Sequence, residues 1–183
     1  MSKKPTKISD SDKEWALNKR KDRKIRSKLE YHLIICEGTQ TEPNYFKALK
    51  EMIKEKDQEK ISLKIIGKGR GTNSLLNDAI YNPIWSNESI ETWILLHFIR
   101  FNTKMGRKDC IKKINENFAK KKLGKYQKND IKIYEKLKPY QSEAIRNAKW
   151  LEDSYDETML PSKMNPCTKV HKLVELLNKY ANN

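Results

Sequence analysis

Glu37 closes an apolar run, His-Leu-Ile-Ile-Cys over residues 32–36, and is followed at once by Gly38. Open α/β sheets bring their ligand groups to the carboxyl ends of strands, and this acid stands at such an end. A carboxylate there can hold a divalent metal or serve as a general base, and Gly38 would let a backbone or ligand come close. The simpler alternative is an acid that meets solvent where a strand stops. Glu91, in Glu-Ser-Ile-Glu-Thr-Trp (88–93), offers a similar choice. It is either a second acid facing the site or a first-turn acid that favours its helix dipole. The loop Gly67–Gly71 (Gly-Lys-Gly-Arg-Gly) could cradle phosphate with backbone N–H groups, Lys68 and Arg70 adding charge. Its spacing matches neither the P-loop nor the dinucleotide fingerprint, and a turn with two supporting charges is the simpler reading. His97 falls on the apolar face of its helix and reads as a core histidine. His32 and His171 share no ligand spacing with it or with any cysteine, so no zinc site is expected. No Ser-His-Asp order can be drawn.

These residues need elements to hold them. Residues 1–30 read as a basic arm, helical in part from about Asp10. Tyr31–Gly38 predicts a strand buried on both faces, from its continuous apolar core. Thr41 can cap the following helix, with Glu42 and Pro43 in its first turn and Tyr45, Phe46, Leu49, Met52 and Ile53 as its apolar stripe. Ile61–Gly67 predicts a second strand, and a short helix capped by Thr72 follows the glycine loop. Strand, helix, strand, loop, helix opens a parallel α/β sheet. The alternation then stops at a turn around Asn82-Pro83. An amphipathic helix comes next, with Ile90, Trp93, Ile94, His97 and Phe98 on one side. Helices are predicted over 108–122, 131–138 and 142–152, then a loop through Met164-Asn165-Pro166-Cys167-Thr168. A last helix is striped by Val170, Leu173, Val174 and Leu177. Two strands cannot make a stable doubly covered sheet alone, so a piece is missing or another chain supplies it.

The chain has 183 residues, 37% hydrophobic and 34% charged, enough for one domain with a core. Its net charge of +15 is concentrated in two blocks. Residues 3–28 carry eleven Lys/Arg against four acids, and residues 104–128 carry ten against two. The remainder is neutral. Such blocks point to a polyanion, most simply DNA or RNA, although lysine as the default surface residue would also raise the charge. Three scattered cysteines form no disulfide framework, and the longest apolar run, Trp93–Ile99, is too short for a membrane span. No signal peptide is recognisable, so a cytoplasmic protein is expected.

Four stretches resemble the RloB (AbiLii-like) proteins of bacterial phage defence, whose fold is similar to Toprim, a metal-binding α/β domain. They are Ile34–Leu49, Ile65–Ile80, Ser86–Phe98 and the C-terminal segments 126–139, 144–152 and 165–177. The resemblance implies a truncated Toprim-like (Rossmann-like) parallel sheet over 31–101 and a helical C-terminal region over 102–183. It implies a nuclease in which Glu37 is the Toprim glutamate holding Mg²⁺ or Mn²⁺, with Glu91 on the family's Glu-x-Trp position. Lys68 and Arg70 would contact phosphate, and an ATPase partner is implied as an associate; apart from the resemblance, the incomplete sheet leaves room for a second copy of the chain. The departure is equally specific. Relatives carry an Asp-x-Asp-like strand and a further helix before Ser-Asn-Pro, whereas here Ile80 runs almost directly into Trp85-Ser86-Asn87 and Glu88 replaces the proline. The missing piece is on the order of 30–40 residues, the size of a βαβ crossover. One glutamate, even with Glu91, supplies too few carboxylates for a two-metal clamp, so weak or absent catalysis is expected. A shortened sheet would also leave edges open beside Leu33, Ile35 and Ile65, to be met by instability, by a partner, or by nothing in a relic.

Overall fold

The structure, a computed structural model, describes residues 30–36, 38–53, 57, 60–67, 84–156 and 158–181. The basic arm, Glu37, Lys68, Arg70 and the helix expected after Thr72 lie outside the described residues. What is described is a mixed α/β fold whose strands form two separate pairs. Strand β1 (Glu30–Cys36) lies parallel to β2 (Ile61–Gly67), in register from Glu30↔Ile61 to Cys36↔Gly67. Helix α1 (Thr41–Glu51) connects them, as the alternation predicts. In β2, Ile61 and Leu63 are buried and Ser62 and Lys64 exposed, the period of a strand covered on one face.

Helix α1 buries Tyr45, Phe46 and Leu49, and Ile53 joins them just beyond its end. Met52, expected in that stripe, is 40% exposed because it has passed out of the helix into the turn. Thr41 does not cap α1 either. Gln40 holds the cap position without a side-chain bond, and the Thr41 hydroxyl instead donates to the Lys128 carbonyl at 2.7 Å.

After the undescribed stretch 68–83, β3 (Ser86–Asn87) pairs antiparallel with β4 (Cys167–Thr168), where the sequence predicts a loop. The Ser86 and Thr168 hydroxyls bond at 2.6 Å, and Asn87 Nδ2 donates to the Pro161 and Met164 carbonyls. The Asn87–Glu88 peptide is cis, and so is Asn165–Pro166. Helix α2 (Ile90–Leu96) follows. It is not amphipathic: all seven of its residues are buried, Glu91 and Thr92 included. Helices α3 and α5 and the β3–β4 pair surround it, and a helix enclosed on every side must be apolar nearly all round.

Helix α3 (Arg107–Lys120) turns Cys110, Ile114 and Phe118 inward at four-residue spacing and its lysines outward. Helix α4 (Ile133–Leu137) packs on α1. In α5 (Gln141–Asp153), Ala144 and Ala148 have little bulk, which brings α2 close. Helix α6 (Val170–Ala181) buries Val170, His171, Val174 and Leu177. One apolar core runs from Ile34 in β1 through Trp93 and Leu151 to Leu177. Among the described residues no helix is long and apolar enough to cross a membrane.

Candidate functional site

Glu91 stands in the first turn of α2 with no solvent exposure. Its Oε1 accepts from Arg107 Nη2 at 3.2 Å, from Arg107 Nε at 3.3 Å and from the Tyr126 hydroxyl at 3.3 Å. Oε2 has no hydrogen-bond partner among the described residues. The pair is lopsided, because the Arg107 side chain is 48% exposed while the carboxylate is sealed. Burial, and then the Glu91 charge, push the Tyr126 hydroxyl well above its ordinary value. Thr41, the first residue of α1, acts on the same Tyr126 hydroxyl and draws it down. Cys110, one turn into α3, is pushed up to about 11 by burial and then by Glu91, Glu88 and Asp109. In this arrangement the Glu91 carboxylate does not fit a divalent-ion ligand. One oxygen is filled by three donors, and the guanidinium charge that neutralises it opposes a second cation. What the arrangement does is fix Arg107 at the head of α3.

Around Glu37 the described flanks are tightly packed. A Cβ on Gly67 would stand 2.7 Å from the Gly38 carbonyl oxygen, 2.8 Å from Pro43 Cγ and 2.9 Å from Thr39 Cα. Both strand ends and the head of α1 thus meet at Gly67. Gly38 sits under the Glu42 carboxylate, which a Cβ there would strike. Burial and the Glu42 charge raise the Cys36 thiol to about 12. Glu42, a first-turn acid by its sequence position, is thus also an acid at this strand end. Among the described residues, no three His, Cys, Asp or Glu side chains are placed to share a metal ion. His97 is a core residue: its Nδ1 is 3.0 Å from the Trp93 carbonyl and its ring packs edge-on to Trp93 and Tyr45.

The basic block 104–128 folds into one outward face. Lys108, Lys112 and Lys113 are exposed on α3, and Lys112 and Lys125 line the same shallow depression beside Gly124. Lys120, Lys121 and Lys122 close the helix, all three exposed. Among the described residues Arg107 is the one cation of this block with an acidic partner. The helix ends with Lys122 N–H on the Ala119 carbonyl at 3.1 Å and Leu123 N–H on the Phe118 carbonyl at 2.9 Å. This is the Schellman closure, whose left-handed residue is usually glycine. Here that residue is Lys122, at φ 57°. Nothing in the local sequence marks Arg107, Tyr126 or Lys122 for these roles, because each depends on where α3 docks.

A family model described as RloB-like protein matches residues 71–177, more than half of the chain. Glu91, Arg107, Tyr126 and the α3 face lie inside the matched span, and Glu37, Lys68 and Arg70 precede it. No curated protein and no solved structure matches the chain. The chain belongs to the RloB-like protein family.

Proposed function

We propose that this RloB-like chain binds nucleic acid through the α3 face and serves in phage defence, with Toprim-type metal chemistry weak or lost. The observation that carries the reading is the row of exposed lysines on α3 and in the following turn, without acidic partners among the described residues. A charge-balanced surface would scatter acids among them. Here Asp109 and Glu116 are the acids of the whole 104–128 block. Lys122 adds a second support, since a lysine held left-handed costs about 1 kcal/mol that glycine would not. Such a face contacts phosphate by releasing counterions, whatever the base sequence.

The Toprim-like part of the proposal rests on the parallel β1–β2 pair and on the resemblance of the Ile34–Leu49 stretch. Glu37 is the residue through which Mg²⁺ or Mn²⁺ would be held, with Lys68 and Arg70 toward phosphate. Such an ion would supply Lewis-acid stabilisation of a phosphodiester. Glu91 acts in this reading as a positioning residue for Arg107. A partner ATPase or a second copy of the chain would complete the assembly. The test measures nucleic-acid binding and cleavage by the full chain and by Glu37→Gln. The expected result is salt-sensitive binding that persists in EDTA and in the variant, with little cleavage in Mg²⁺ or Mn²⁺. Robust cleavage that depends on Glu37 would overturn the weakened-catalysis reading, and absence of binding would overturn the binding reading.

A further inference from the structure

Two aromatic rings at opposite ends of α5 each carry a cation, and one of these cations, Lys121, belongs to the charged face. Lys121 Nζ lies 5.4 Å from the centroid of the Tyr140 ring, and Arg100 Cζ lies 5.0 Å from that of Trp150. Both rings are half-buried and both cations are exposed. Phe98 packs against Tyr140 with ring centroids 5.2 Å apart, and Phe118 packs against Phe98 at 5.7 Å, so Tyr140 rests on the core. Arg100 is aimed by its Nε, which donates to Asn147 Oδ1 at 3.3 Å. Asn147, 1% exposed, is itself fixed by donating to the Leu96 carbonyl at 2.9 Å. Tyr140 precedes α5 directly and Trp150 lies in its last turn. The two are thus roughly 15 Å apart along the helix, at about 1.5 Å per residue.

Aromatic platforms alternating with cations have a use that a plain lysine face does not. A duplex keeps its base faces inside its own stack, whereas a single strand offers them to protein rings. A cation over a ring at the surface is held weakly beside a stacked base. The geometry points to single-stranded nucleic acid as the ligand of these two platforms. Bases stack on Tyr140 and Trp150, while Lys121 and Arg100 leave the ring faces for the phosphates, Arg100 giving up its bond to Asn147. The inference rests on the nucleic-acid reading above and narrows its substrate class.

Fluorescence anisotropy with the full chain tests it, using labelled oligo(dT), oligo(U) and a mixed-sequence duplex, each about 15 nucleotides long. Either single strand is expected to bind about tenfold or more tighter than the duplex. Tyr140→Leu and Trp150→Leu should each weaken single-strand binding by about tenfold and leave duplex binding within about twofold. Tyr140→Phe, which keeps the ring, should bind as the parent does. Photocrosslinking of the parent to a 5-iodouracil strand reads the same contacts without a substitution, and should map to Tyr140 or Trp150. Equal or tighter duplex binding, leucine variants that melt and bind like the parent, or crosslinks only elsewhere would overturn the inference and leave the nucleic-acid reading standing. No binding to any of the three would overturn that reading as well.

Discussion

Glu91 and Arg107 share one ion pair but not one environment. Removing Arg107 leaves a sealed carboxylate with only Tyr126, at 3.3 Å, to neutralise its loss of water. Removing the charge of Glu91 leaves a guanidinium that is 48% exposed and can rehydrate. Arg107→Ala should therefore cost about 2–3 kcal/mol and Glu91→Gln about 1 kcal/mol in urea unfolding. The reverse order would show that the carboxylate is not the buried partner. Gly67 permits a different prediction, because its missing Cβ is what lets Gly38, Thr39 and Pro43 come near. Gly67→Ala should lower stability by about 1–3 kcal/mol, read as a fall in Tm. An unchanged Tm would show the strand ends to be looser than described. At this scale the sequence was legible where a residue type has few uses. Gly38 implied close approach, and His97 implied core. The partner of Glu91 was hidden because Arg107 lies sixteen residues away on another helix.

At the scale of elements, α2 departs from the single apolar face its sequence predicts, and its burial sets how stability depends on pH. Its Ile, Trp and Leu positions suggested one apolar face, but burial on all sides also encloses Glu91, Thr92 and His97. The extra faces are covered by α3, α5 and the β3–β4 pair, which are distant in sequence, so local periodicity could not reveal them. Burial lowers His97 to about 4 from its ordinary 6.5. Between those values the unfolded chain takes a proton that the folded chain refuses, so stability is full above about pH 6.5 and declines toward pH 4. The loss is about 3 kcal/mol across the window, and His97→Gln should flatten most of it in urea midpoints measured at several pH values. A parent whose midpoint stays constant through that window would contradict the burial. On the alkaline side Cys36, Cys110 and Cys167 are raised to about 12, 11 and 11, so stability also declines above the ordinary thiol range. The close of α3 carries its own prediction: Lys122→Gly should stabilise by about 1 kcal/mol, seen as a higher Tm, while weakening polyanion binding. A loss of stability would mean that Lys122 does not hold the left-handed position.

For the whole molecule, the charge blocks, the β1–α1–β2 opening and the helical remainder were legible because each is written in local composition or period. The way they come together was not. The β3–β4 pair joins residues 86–87 to 167–168, and the core links β1 to α6, through contacts that local pattern does not encode. The 104–128 block was visible as charge, but whether it formed a face depended on Cys110, Ile114 and Phe118 turning inward and leaving the lysines outside. That face is the central claim. Its most direct test is the salt dependence of nucleic-acid affinity for the parent and for a combined Lys108→Gln, Lys112→Gln, Lys113→Gln and Lys125→Gln variant. Each phosphate contact contributes roughly 0.7–0.9 to the slope of log K against log salt. The variant should therefore lose about 3 from that slope and bind about 100-fold more weakly at low salt, with its melting temperature kept. A correctly folded variant with the parent's slope and affinity would contradict the account.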